Sequence, residues 1–236
     1  MQFNYREAGD GCYAPILIHG WASRLDLRDH GRSDAPPEGY SMRQFADDTA
    51  ALARSRRVRN TIVVGHSIGS TVSLEMARPH PRLVAGVVVV DGALDQYATS
   101  REVDQSDLWR ALTEPPYEEA MVEFYANFFP DPRDAALAER VVLRRLENAG
   151  TRRVGLFACE SDLEHPGIAV QVRQPVLYVD GGDNLRPAAA VHEVLPHPSY
   201  AQAALCGHFV QLEASDQLVA IIRRFVERLP ATTATR

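Results

Sequence analysis

Five short runs of β-branched and aliphatic residues punctuate the chain: Pro15-Ile16-Leu17-Ile18, Thr61-Ile62-Val63-Val64, Val84 to Val90, Pro175-Val176-Leu177-Tyr178-Val179, and roughly Ser199 to Leu205. Unbroken apolar runs of this length are the pattern of parallel strands buried on both faces. Helical patterns lie between them. Met42 to Arg57 is polar and alanine-rich, with Phe45, Thr49 and Leu52 at helical spacing. Ile68 to Arg78 follows a strand directly and ends before Pro79, and Ala188 to Leu195 and Gln217 to Leu229 form two more. This alternation predicts an α/β fold, a mainly parallel doubly wound sheet with helices on both faces. From about Gly92 to Gln174 the rhythm breaks. That stretch has no long strand, is rich in aromatic residues, and predicts helices over Tyr117 to Phe128 and Pro132 to Asn148. The resulting division is a core of residues 1–91 and 175–236 with a helical cap of 92–174 inserted, and a frayed tail from Pro230 to Arg236.

Length and composition narrow the classes. A chain of 236 residues suits one α/β domain with an insert. The charge, 25 − 31 = −6, creates no basic field for nucleic acid or an anionic membrane. No apolar run reaches membrane-spanning length, and Met1 to Glu7 lacks the charged-then-apolar plan of a signal peptide. All 25 basic residues are arginine, which excludes a P-loop lysine, a pyridoxal Schiff base and a Ser–Lys dyad. Cys12, Cys159 and Cys206 are odd in number and far apart, so neither a disulfide framework nor structural zinc is expected. The expectation is a cytoplasmic protein, monomer or homodimer, without metal or cofactor.

The strongest chemical signal is Gly65-His66-Ser67-Ile68-Gly69, a G-x-S-x-G pattern set between an apolar strand and a helix. A sharp turn there would lift the serine hydroxyl above the sheet, and small flanking residues would let neighbouring backbone approach. The Ile68 N–H, at the helix N-terminus, would face a developing oxyanion. The plainer alternative is an ordinary strand-to-helix turn whose serine caps the helix. His66 is expected to point away, because neighbouring side chains on a turn diverge.

A serine hydroxyl needs a base. Of the eight histidines, His208 falls just after the last strand and ahead of the C-terminal helix, where loops share one sheet edge with the nucleophile. His19 sits at another strand end and reads as structural. The acid that orients the base is assigned to Asp183, after the fourth strand, with Asp91 and Asp180 as further candidates. A second oxyanion donor is expected at the Trp21 N–H in His19-Gly20-Trp21, where glycine permits close approach.

These elements, with Asp26-Leu27-Arg28-Asp29-His30-Gly31-Arg32-Ser33-Asp34 and Gly207-His208-Phe209, resemble in order and spacing the α/β-hydrolase family, in particular its small bacterial serine esterases and haloperoxidase-like members. The resemblance implies a nucleophile at Ser67, an acid at Asp183, a base at His208, backbone donors at Trp21 and Ile68, and no cofactor. The implied function is a serine hydrolase that cleaves a small carboxylic ester through an acyl-enzyme. A lactonase, thioesterase or C–C bond hydrolase would use the same triad. A non-catalytic ligand-binding protein and a cofactor-free oxygenase are the rivals from other classes.

Two departures from the family pattern stand out. Asp29 replaces a glycine of the Asp-x-Arg-Gly-x-Gly-x-Ser element. Only Ala22, Ser23, Arg24 and Leu25 join Trp21 to Asp26, too few for the crossover of about a dozen residues that adjacent parallel strands need. The expectation is either about twenty residues omitted between Ser23 and Arg24 or a rebuilt sheet. Phe3 to Glu7 resembles the family's second strand, so the first edge strand is expected to be missing.

Overall fold

A computed structural model describes residues 2–3, 13–20, 27–28, 33–34, 36, 38–92, 110–111, 114, 116, 118–129, 131–146, 166–181, 188–195 and 197–230. Five strands, β1 (Ala14–Ile18), β2 (Thr61–His66), β3 (Val84–Val90), β4 (Val176–Gly181) and β5 (Ser199–Ala203), form one sheet in that order. All four neighbouring pairs are parallel. The crossovers carry α1 (Met42–Ser55) between β1 and β2, α2 (Ile68–Ala77) between β2 and β3, and α6 (Ala188–Val194) between β4 and β5. After β5 come α7 (Val210–Glu213) and α8 (Ser215–Val226).

The continuous apolar runs have their predicted cause. Successive residues of a strand face opposite sides of the sheet, and along β2, β3 and β4 both sides are covered, while the edge strands β1 and β5 keep exposed positions such as Leu17. Val63, Val87, Val89, Val176 and Tyr178 pack in one cluster with Phe45 and Ala50 of α1 and Val72 of α2. Their neighbours Ile62, Val64, Val88, Val90, Leu177 and Val179 pack in a second cluster with Leu218 and Phe225 of α8. At about 1.5–3 kcal/mol per buried aliphatic side chain, these two layers are the main stabilising term of the core.

The loop from β1 to α1 is anchored by an ion pair. Arg28 is buried and grips Asp48 of α1 through Nε (2.6 Å) and Nη2 (2.8 Å), while Nη1 donates to the Gly39 carbonyl at 2.8 Å. Gly39 takes φ +86, and a Cβ there would lie 2.5 Å from Arg28 Nη1. Thus the arginine of the Asp-x-Arg element is a structural clasp. Ser41 caps α1, its Oγ accepting the Gln44 N–H at 3.1 Å.

Among the described residues of 92–174 there is no strand. They form α3 (Glu118–Ala126), a 3-10 turn (Pro132–Asp134), α4 (Ala135–Leu146) and α5 (Pro166–Ala169). β1 pairs directly with β2, with α1 between them in the chain. Ser23, Arg24 and Asp29, on which the two sequence departures turn, lie outside the described residues, as do Phe3's neighbours Asn4 to Glu7. Among the described residues no helix is long and apolar enough to cross a membrane.

Candidate active site

Parallel strands deliver all their following loops to one edge of the sheet, and the candidate chemistry gathers there. Ser67 follows β2 directly. Its φ of 53° and ψ of −127° lie in a sparsely populated region for a residue with a Cβ, at a cost of about 1–3 kcal/mol. The surroundings hold it there. The Ser67 N–H donates to the Val90 carbonyl at 3.0 Å, and Ser70 returns both a backbone N–H to Ser67 O (2.9 Å) and an Oγ–H to Gly65 O (2.9 Å). A Cβ at Gly65 would overlap the Gly69 carbonyl, and one at Gly69 would lie 2.5 Å from the carbonyl oxygens of both Ile18 and His19. Ser67 occupies the N-cap position of α2, yet its side chain makes no capping hydrogen bond. The hydroxyl is therefore not spent on the helix, which removes the main reason for the plainer capping alternative. Ile68 opens α2, so its N–H has no acceptor within the helix.

His208, 13% exposed at its side chain, directs Nδ1 at Asp91 Oδ2, 2.5 Å away. Asp91 directly follows β3 with φ +43; its other oxygen, Oδ1, accepts the Gly181 N–H at 3.3 Å. Burial opposes ionisation of Asp91, but the hydrogen bond and charge of His208, with the Gly181 N–H, outweigh it and hold the carboxyl below its ordinary value. With a carboxylate acceptor on Nδ1, that nitrogen carries the proton and Nε2 is the basic one.

Of the three candidate acids, Asp91 is the one that pairs with His208 among the described residues. Nδ1 has one proton to donate, and Asp91 takes it; Asp183 lies outside the described residues. Asp180 is buried within β4, where the Tyr200 hydroxyl donates to its Oδ2 at 3.3 Å. Asp91 carried a visible sequence signal, its place directly after the long strand Val84 to Val90, but three aspartates shared that kind of signal. His66 turns toward His208: its ring centroid is 4.5 Å from that of His208, and Nε2 lies 2.8 Å from the His208 carbonyl oxygen.

The His19-Gly20 turn presses on the elbow, where a Cβ at Gly20 would sit 2.9 Å from Ser67 Cβ and 3.0 Å from His66 Nδ1. His19 itself is buried. Trp21 lies outside the described residues. Aromatic side chains from the 92–174 segment reach the base: Phe128 packs its ring 4.5 Å from the His208 ring, and Phe129 stacks on Phe209 at 5.0 Å and 10°. Phe128 and Phe129 thereby join this segment to the sheet edge. Tyr97, Trp109, Tyr117 and Phe157 lie outside the described residues. Among the described residues no group of three or more His, Cys, Asp or Glu is arranged to hold a metal ion.

A strained serine on a glycine-flanked turn and a carboxylate-held histidine thus stand at the carboxyl edge of the parallel sheet. Residues 6–221 match the Alpha/beta hydrolase family, and the chain belongs to it. Over 112 residues it is 43% identical to 2-(acetamidomethylene)succinate hydrolase of Mesorhizobium japonicum, covering 39% of each chain. Over 77 residues it is 42% identical to a non-heme chloroperoxidase of Streptomyces lividans, covering 32% of this chain and 28% of that protein. The matched parts thus span well under half the length of these curated relatives. The solved esterase of Exiguobacterium antarcticum superposes with a TM-score of 0.77 over 93% of both chains at 18% identity, a likeness of fold.

Proposed function

We propose that the protein is a serine hydrolase acting on a small carboxylic ester, with Ser67 as nucleophile, His208 as general base and Asp91 as the acid that orients it. The observation that carries this reading is the 2.5 Å pairing of His208 Nδ1 with Asp91, together with a backbone-strained serine whose hydroxyl makes no capping hydrogen bond. His208 Nε2 accepts the Ser67 hydroxyl proton as Oγ attacks the ester carbonyl. The tetrahedral oxyanion is stabilised by the Ile68 N–H, reinforced by the α2 dipole, and by the Trp21 N–H from the neighbouring turn. Protonated His208, its charge balanced by Asp91, gives the proton to the leaving alcohol. It then activates water against the acyl-enzyme. Phe128 beside the imidazole presents an apolar surface to the substrate. Residues 92–174 serve as a helical cap over this edge.

The test is a panel of p-nitrophenyl esters, lactones and acyl thioesters, with a fluorophosphonate to mark the nucleophile. Turnover on an ester with stoichiometric labelling of Ser67, both abolished in a folded Ser67→Ala variant, is the expected result. Undiminished turnover by that variant would reject the mechanism.

A further inference from the structure

His208 stands in the segment between β5 and α7, with no regular element of its own to fix the imidazole. The peptide groups around it are instead tied to two side chains. Glu213, the last residue of α7, turns its carboxylate back so that Oε2 accepts the Gly207 N–H at 2.7 Å and Oε1 the Phe209 N–H at 2.9 Å. His66 Nε2 lies 2.8 Å from the His208 carbonyl oxygen; since a carbonyl only accepts, Nε2 donates. The amides on both sides of His208 and its own carbonyl are thereby held, from α7 on one side and from the nucleophile elbow on the other. Gly181 closes the arrangement: a Cβ there would overlap the Gly207 carbonyl, so the end of β4 lies directly against this segment.

Helix capping alone does not account for Glu213. Phe209 is the N-cap residue of α7, and a bond to its N–H would satisfy a free end of that helix. The bond to Gly207 lies beyond the helix, across His208, where α7 has nothing to gain. Resting on the serine-hydrolase reading, we infer that Glu213 is a positioning residue for the base, with His66 as its counterpart on the elbow. Together they hold the His208 peptide so that Nδ1 stays on Asp91 and Nε2 is left for Ser67. The bond to a charged acceptor is stronger than one to a neutral amide, so a glutamine cannot replace the carboxylate; its NH2 group also repels one of the two N–H donors. Burial pushes the Glu213 carboxyl up, with the Asp134 charge adding, against the two N–H groups and His208. The clamp therefore loosens as pH falls through a value above the ordinary one for glutamate.

The experiment compares the full wild-type chain with Glu213→Gln, His66→Phe and the double variant. Three quantities are read: the rate of Ser67 phosphonylation by a fluorophosphonate, Tm, and the amide proton shifts of Gly207 and Phe209 against pH. Expected are a ten- to hundredfold slower phosphonylation in Glu213→Gln at temperatures well below its Tm, and a double variant slowed less than the product of the single losses. The two amide protons should titrate together in the wild type and cease to in Glu213→Gln. Phosphonylation of Glu213→Gln within twofold of wild type would overturn the inference. Should that variant not fold, the wild-type amides decide: independent or absent titration overturns it. A wild type that neither labels at Ser67 nor hydrolyses esters sinks the hydrolase reading and this inference with it, an outcome distinct from a labelled wild type matched by Glu213→Gln.

Discussion

Replacing Asp91 by asparagine keeps the volume of the side chain and removes its charge. The change reaches catalysis through His208. In the wild type, carboxylate Oδ2 sits 2.5 Å from Nδ1 and fixes the proton there. An asparagine held by the Gly181 N–H through its carbonyl oxygen turns its NH2 toward Nδ1 instead. The imidazole must then carry its proton on Nε2, where it cannot accept one from Ser67. The imidazolium of the transition state also loses its counter-charge. In serine enzymes built this way, such a change slows kcat by about ten thousandfold. At about 1.36 kcal/mol per tenfold, that is about 5 kcal/mol of transition-state stabilisation. The assay is ester hydrolysis under saturating substrate, with circular dichroism and Tm to show that Asp91→Asn folds. Asp183→Asn is the paired measurement and should stay within about threefold of wild type, because Nδ1 is already occupied. A loss of a thousandfold in Asp183→Asn with near-normal Asp91→Asn would refute the reasoning.

Three further outcomes follow from the same structure. Gly20→Ala places a methyl 2.9 Å from Ser67 Cβ and 3.0 Å from His66 Nδ1, so kcat should fall about a hundredfold for a displacement near 1 Å, while denaturant unfolding changes far less. Arg28→Ala leaves the half-buried Asp48 with only its Gln44 hydrogen bond, at about 1–3 kcal/mol; at about 2–4 °C per kcal/mol, calorimetry should show Tm falling by about 2–12 °C. Asp91 is held below its ordinary carboxyl value in the folded chain. Its ionised form therefore contributes stability that is complete above about pH 5 and is lost as pH falls through the lower, folded value. Urea unfolding of wild type and Asp91→Asn should converge at strongly acid pH and differ most at neutral pH.

The central strands were legible because β2, β3 and β4 are covered on both faces, so burial wrote itself into the chain as unbroken runs such as Val87 to Val90, whereas the edge strands β1 and β5 keep exposed positions. The elbow was legible for a local reason. Gly65 and Gly69 flank Ser67 because carbonyls of Gly69, Ile18 and His19 occupy the space a Cβ would need, and that requirement shows as spacing within five residues. Which carboxylate meets His208 was decided only by the tertiary structure. Asp91, Asp180 and Asp183 all lie between Ser67 and His208 in the chain and all stand in or just beyond a strand, so local pattern ranks them alike. What separates them is sheet order and backbone direction. β3 lies between β2 and β4, and the left-handed φ of Asp91 turns its carboxylate across the sheet edge to His208, 117 positions away in sequence. His66 follows the same logic: the carbonyl its ring meets, that of His208, lies 142 positions further along the chain.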